Sequence, residues 1–350
     1  MKKGWKIRLL IISMVTVLTL LAGCGGESTE QKKEEGSGPS NTAQSKPILL
    51  KLSHPTPEPS FLGQGYSFFA KAVEEESKGQ IKVEVYPAAT LVSDTEILEA
   101  VQRGNVDIGH FMVSYLTSTI KELTPFEVPG GYGGKSFPER EKAIRPILEK
   151  IFNKYEVKYL GTNENSTLTF SSTDKLIKSP SDLKGLSVRI AGKWDGSAIK
   201  MWGGNPVTVS LGDLPVALER GTIDASYNGW IITGPFKLYE SAPNITLTKD
   251  LDFMSGLIMS EKAWKNLNQE NQQAVLRAAQ RWMDFSQEIL AKEMQKFEQN
   301  LKDSGAKVYI LNDSENAEFT KVTDRILNEV KGIAGPEGEE LIKVFESLHK

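Results

Sequence analysis

Apolar and polar positions alternate in short runs separated by longer stretches of helical spacing, a pattern that predicts a mixed α/β chain. Ile48 to Leu52 reads as a first strand, and Ile81-Lys82-Val83-Glu84-Val85-Tyr86 alternates cleanly as a half-buried one. Between them, Phe61 to Lys78 has helical periodicity, with Phe68, Phe69, Ala72 and Val73 on or near one face. Glu139 to Phe152 predicts a helix and Val157 to Leu160 a strand. Ser179 to Gly185 is a capped turn stopped by glycine, feeding a strand over Leu186 to Ala191. A helix ending near Trp202-Gly203-Gly204 and a strand over Pro206 to Leu211 follow. Ala263 to Lys302 is the longest periodic segment; forty residues of helix extend about 60 Å, enough to run along two lobes as a spine. Its apolar stripe is too irregular for sustained heptads.

One signature occurs twice, 117 residues apart: Ile97 to Asp107 (ILEAVQRGNVD) and Leu214 to Asp224 (LPVALERGTID). Each copy predicts a short helix ending at a glycine able to take the left-handed C′ conformation, then a β-branched residue and an Asp. A module used twice implies two similar α/β lobes, and two lobes make a cleft. The expected organisation is 47–168 plus about 253–300 for lobe I, and 169–252 plus about 301–350 for lobe II.

The amino terminus changes this picture only at the edge of the fold. Lys2, Lys3, Lys6 and Arg8 precede an apolar stretch from Leu9 to Ala22, too short for a comfortable span, and Leu21-Ala22-Gly23-Cys24 looks like a bacterial lipoprotein processing box. Residues 1–23 are therefore expected to be a signal peptide and Cys24, the only cysteine of 350 residues, the lipidation site. Residues 24–46, rich in Gly, Ser, Glu, Lys and Gln, read as a flexible tether. Removal of four cations takes the formal charge from −3 to −7, which argues against a nucleic-acid partner. The lone cysteine excludes a disulfide framework or a Cys-based metal site.

Arg189 is the leading candidate for chemistry. Leu186, Val188 and Ile190 face one side of its strand, so Arg189 faces the other, near the carboxyl end where ligands collect in open α/β sheets. A guanidinium there offers paired donors that match a carboxylate; a structural ion pair is the competing reading. Asp107 and Asp224, at equivalent module positions, are better read as structural than as an acid/base pair. Gly130 to Ser136 fails as a phosphate loop, because Pro129 stands where the first glycine belongs. Three scattered histidines make no zinc site.

Asp182-Leu183-Lys184-Gly185-Leu186-Ser187-Val188-Arg189 resembles the DLKGxxxR stretch of the solute receptors of tripartite ATP-independent periplasmic (TRAP) transporters, the C4-dicarboxylate-binding-protein-like family. Ile81 to Pro87, both Gly-x-[Val/Ile]-Asp modules, Gly203-Gly204-Asn205-Pro206-Val207, and Ala263-Trp264 with Ala278-Ala279 are similar to that family in the same order, over about residues 48 to 345. The resemblance implies a two-lobed periplasmic-binding-protein-like (type II-like) clamp with a long C-terminal spine helix. It implies that Arg189 grips a carboxylate and that Asn228 joins the same pocket, although a turn role is open for Asn228, which precedes Gly229. Many relatives carry a second arginine in the strand matching Leu168 to Ser171; this chain has none. Trp194 and Trp230 flank the site as candidate walls, whereas Trp202 reads as core. His110, Phe111 and Tyr115, with His54 from the loop after the first strand, are candidates for the opposite jaw. The expected protein is a monomeric, extracytoplasmic, lipid-anchored receptor, with no cofactor, that hands a small organic acid to membrane transporter subunits. A sensory co-receptor for a membrane kinase and, more remotely, an envelope hydrolase are the alternatives.

Overall fold

The computed structural model describes residues 46–132, 135–163, 167–251 and 254–348; the signal segment, Cys24 and almost all of the tether lie outside them. Among the described residues, eleven strands form two sheets. They are β1 (Ile48–Ser53), β2 (Ile81–Tyr86), β3 (Ile108–Met112), β4 (Val157–Asn163), β5 (Thr167–Ser172), β6 (Ser187–Ile190), β7 (Asn205–Thr208), β8 (Ala225–Gly229), β9 (Asn244–Leu251), β10 (Ser255–Ser260) and β11 (Lys307–Ile310). The first sheet has the order β2-β1-β3-β10-β4 and the second β11-β9-β5-β8-β6-β7. β1, β2 and β3 run parallel, as do β6, β7 and β8; β10 is antiparallel to both of its neighbours, and so is β5. The chain passes from one sheet to the other between Asn163 and Thr167 and returns between Leu251 and Ser255.

The repeated module builds the same joint in each lobe. Helices Ile97–Gln102 and Leu214–Glu219 end before Gly104 and Gly221, whose φ of 71° and 66° lie where only glycine is unstrained. The following Asp then fastens the neighbouring strand. Asp107 Oδ2 accepts the Lys51 N–H at 2.8 Å, and Asp224 Oδ2 accepts the Ser187 N–H at 2.7 Å. Both carboxylates are structural. The likeness continues beyond the signature, since each lobe next has a strand (β3, β8) leading directly into a one-turn helix, Val113–Leu116 or Trp230–Thr233.

The long helix is Gln269–Ser304, 36 residues or roughly 54 Å at 1.5 Å per residue. It is preceded by a separate turn of helix, Glu261–Lys265, rather than starting at Ala263 as the periodicity suggests. The break falls at Asn268, whose side chain accepts the Asn271 N–H and so starts a new helix. Phe285 stacks on Phe68 of helix Phe61–Glu76 at 4.2 Å, and further along Phe297 stacks on Trp230 of the second lobe at 5.2 Å. One helix thus braces both lobes. Residues 301–350, expected on the second lobe, divide: β11 pairs with β9, and Phe319, Ile326 and Val330 enter that lobe's core. Helix Gly335–Leu348 instead packs on helix Phe137–Lys154 of the first, with Phe345 against Phe126 at 4.9 Å.

Strand alternation sorts the buried side chains into three clusters. One face of the first sheet carries Phe111 and Ile258 and packs on Phe152; one face of the second carries Phe170, Val188 and Tyr227. The remaining faces share a single continuous cluster that includes Leu52, Ile108, Tyr66 and Trp282 from the first lobe and Ala191, Trp230 and Ile245 from the second. Among the described residues no helix is long and apolar enough to cross a membrane.

Candidate functional site between the lobes

β6 ends at Ile190, and its penultimate residue aims Arg189 off the carboxyl edge of the second sheet. The side chain is 1% exposed. Its Nε donates to the Val209 carbonyl at 3.0 Å, which fixes the plane of the fork, and Nη2 donates to the Tyr115 hydroxyl at 2.7 Å. Tyr115 belongs to the one-turn helix after β3, so this hydrogen bond crosses from lobe to lobe. Asp94, in the loop after β2, is buried beside both groups, with Oδ2 lacking a hydrogen-bond partner. Burial raises its carboxyl, and the Arg189 charge partly offsets that. Burial also pushes the Tyr115 hydroxyl up to about 12; Arg189 pulls it down and Asp94 pushes it up. A neutral phenol therefore lies between a cation and an acid.

The pairing register places Arg189 beside Ser226 of β8, and Ser226 opposite Ser171 of β5; Asn228 stands opposite Thr169. These side chains share one face by strand parity. Asn228 lies within β8, not in a turn after it. Its Nδ2 donates to the Gly229 carbonyl at 3.1 Å and to Thr233 Oγ1 at 3.3 Å, while Oδ1 is buried without a partner. Thr169 donates to the Asn228 carbonyl at 2.8 Å. On this stretch of β5 the side chains on the Arg189 face are the hydroxyls of Thr169 and Ser171.

His54 and His110 come together in the first lobe. His54 follows β1 directly and stacks obliquely on Tyr66 at 4.8 Å; Tyr66 is 5.6 Å from His110 and 6.0 Å from Trp282. Burial lowers His54 to about 4, and burial with the nearby His54 lowers His110 to about 3. Both rings are neutral at physiological pH. Phe111 does not join them: adjacent to His110 on β3, it points to the opposite face and packs on Phe152 at 4.9 Å. A β-strand cannot present both neighbours to one pocket, so Phe111 is core.

The two tryptophans also separate. Trp230 follows β8, with a buried, unpartnered Nε1. It lines a crevice of about 130 Å³ with Pro57, Phe61, Lys296 and Phe297, contributed by both lobes and the bracing helix. Trp194 lies in the core of the second lobe, as does Trp202, whose Nε1 donates to the Phe319 carbonyl at 3.1 Å.

A second interlobe contact was not visible in the sequence. Glu127, fully covered, lies against Gly192, where an added Cβ would fall 1.8 Å from Glu127 Oε1 and 2.8 Å from the Ser114 carbonyl. Asp195 caps its own helix by accepting the Gly192 N–H at 3.2 Å. Burial raises Asp195 to about 7, and burial together with Asp195 raises Glu127 well above the carboxylate range. Asp94, Tyr66, Glu127 and Asp195 were all missed. Only the short polar run Ser93-Asp94-Thr95 ahead of the first module hinted at one of them.

The family model described as bacterial extracellular solute-binding protein, family 7, matches residues 52–332. The C4-dicarboxylate-binding protein DctB of Bacillus subtilis is 27% identical over 314 residues, 87% of each chain. The C4-dicarboxylate-binding periplasmic protein DctP of Rhodobacter capsulatus is 24% identical, covering 86% of this chain and 92% of its own. Among solved structures, the sugar acid binding protein of Advenella mimigardefordensis in complex with galactonate superposes with a TM-score of 0.80 at 20% identity, over 87% of this chain and 99% of that one. A TRAP solute-binding protein of Sulfurospirillum deleyianum with bound succinate gives 0.77 at 24%, over 86% and 99%. These likenesses establish the two-lobed fold.

Proposed function

Since the chain belongs to family 7 of the bacterial extracellular solute-binding proteins, the receptors of TRAP transporters, we propose that it captures a small organic acid through Arg189 and delivers it to membrane transporter subunits. The observation that carries this reading is the placement of Arg189. One guanidinium, held by the Val209 carbonyl, reaches from the carboxyl edge of β6 to the first lobe. Its fork matches a carboxylate in shape and charge. In the proposed cycle the ligand enters between open lobes and its carboxylate takes the place of the Tyr115 hydroxyl on Nη2. Asn228 Oδ1 and the first-lobe polar groups then complete the hydrogen bonds. Closure is a population shift drawn by contacts that exist only in the closed form.

Capture close to the membrane follows from the amino terminus: lipidation at Cys24 and a tether to residue 46 would keep the receptor near its transporter. Family and structural relatives are receptors rather than enzymes, and the site reads as a clamp. A thermal-shift screen of organic acids against neutral sugars tests the proposal. Stabilisation by at least one carboxylate class is expected; shifts from neutral sugars alone, or from nothing, would overturn it.

A further inference from the structure

The polar groups of the first lobe carry more information than the clamp requires. His54 Nε2, the Tyr66 hydroxyl, both nitrogens of His110 and both amide atoms of Asn163 are buried without a hydrogen-bond partner. Their residues are 0–2% exposed. Asn163 lies beside the Tyr66 hydroxyl without completing a bond to it. Each such atom, if left unpaired, bears the desolvation penalty of a buried polar group with no hydrogen bond to offset it. A core serving packing alone would be apolar here, as Leu52, Ile108 and Leu257 are on the same face. This set borders the same side-chain cluster as Ala191 and Trp230, which flank Arg189 and Asn228. The first-lobe polar set and the Arg189 face of the second sheet therefore abut one shared side-chain cluster.

Their chemistry is neutral and two-handed. An uncharged imidazole has one donor and one acceptor, the carboxamide has both, and the phenol has both. Hydroxyl groups, each a donor and an acceptor, match that inventory; a carboxylate only accepts. Among the described residues named above for this site, none is a second cation that would support a second carboxylate. Asp94 beside Arg189 opposes one, and the same face of the second sheet offers Thr169, Ser171 and Ser226. Lys296, at the outer crevice, is 61% exposed and paired with Glu293 at 3.6 Å.

Resting on the receptor reading above, we infer that the ligand is a hydroxylated monocarboxylate. Its carboxylate sits on Arg189 and its hydroxyl groups on His54, Tyr66, His110 and Asn163. The site discriminates against short dicarboxylates because their far end would bring a second charge to neutral donors and acceptors without a cation.

Calorimetry on the full chain tests this with four sets of probes: hydroxylated monocarboxylates (lactate, glycerate, gluconate, galactonate), dicarboxylates (succinate, fumarate, malate), pyroglutamate, and galactose. The expected result is that one hydroxylated monocarboxylate binds at least about tenfold tighter than any other class. His110→Phe, which removes both ring nitrogens, should weaken that ligand about tenfold, the scale of one lost hydrogen bond; if that variant does not fold, His54→Phe serves. A dicarboxylate binding as well or better overturns the inference and leaves the receptor reading standing. Pyroglutamate binding best overturns it in favour of an amide-bearing acid. Unchanged affinity in a folded histidine variant removes the first-lobe subsite. Failure of every acid, with or without binding of galactose, overturns the receptor reading itself.

Discussion

Arg189 and Tyr115, 74 residues apart in sequence, meet at 2.7 Å, guanidinium to phenol, across the boundary between the two sheets. The contact joins the strand end that carries the clamp to the first lobe through a group any carboxylate would have to displace. On the proposed reading, the Tyr115 hydroxyl is a neutral stand-in for the ligand's oxygen. It satisfies part of the fork when the lobes are shut, and the charged oxygen of an acid binds the same nitrogen more strongly.

Removing that stand-in should loosen the empty protein. Tyr115→Phe deletes a hydrogen bond to a charged group, about 1.5–3 kcal/mol, from the closed form alone. Small-angle scattering of the unliganded variant should show a larger radius of gyration than the parent. An unchanged radius would mean the bond does not hold the lobes together.

Gly192 has a negative φ of −126°, so its small size reflects space rather than backbone conformation. A methyl there would run into Glu127 and Ser114 from the first lobe. Gly192→Ala should therefore oppose closure by about 1–3 kcal/mol, the usual penalty for overpacking, and weaken acid binding at least about fivefold. Parent-like affinity in calorimetry would show that the lobes do not close on this contact.

The buried acid at the same contact predicts a pH dependence. The Asp195 carboxyl is raised by burial from 3.8 to about 7, so the native protein holds a proton that the unfolded chain releases. The associated stability is fully present below the ordinary carboxylate range and is lost as pH climbs toward neutrality. Asp195→Asn removes this titration and keeps an acceptor for the cap. The melting temperature of the variant relative to the parent should rise between about pH 5 and about pH 8. His54 and His110, lowered to about 4 and about 3, act in the opposite sense, losing stability as pH falls from 6.5; present in both proteins, they cancel in the comparison. A constant difference across that range would contradict the assignment.

Much of the architecture was legible because it rests on local rules. The two Gly-x-[Val/Ile]-Asp joints need a left-handed glycine and a short acid, and both signals stand in the chain in order. The orientation of Arg189 followed from strand parity, and its position at a carboxyl edge from where the predicted strand ends. The same parity, applied to β3, separates Phe111 from His110, although the sequence reading offered both for one jaw. The helix break at Asn268 was hidden inside a periodic apolar stripe, because one capping side chain outweighs it locally. Tyr66, Glu127 and Asp195 were not legible at all. Their roles depend on which elements fold against them from 44 to 216 residues away, as with Trp282 over Tyr66 and Gly192 over Glu127, and no local pattern encodes that.

The most direct test of the central claim is the affinity of the best organic acid for Arg189→Ala, measured by calorimetry beside the parent and Arg189→Lys. Truncating a buried charged partner costs about 2–5 kcal/mol. The alanine variant should therefore bind at least about thirty-fold more weakly while melting as a folded protein, and the lysine variant should also fail, because a point charge cannot reproduce the fork. Near-parental affinity in a folded Arg189→Ala protein would contradict the assignment of Arg189 as the carboxylate clamp.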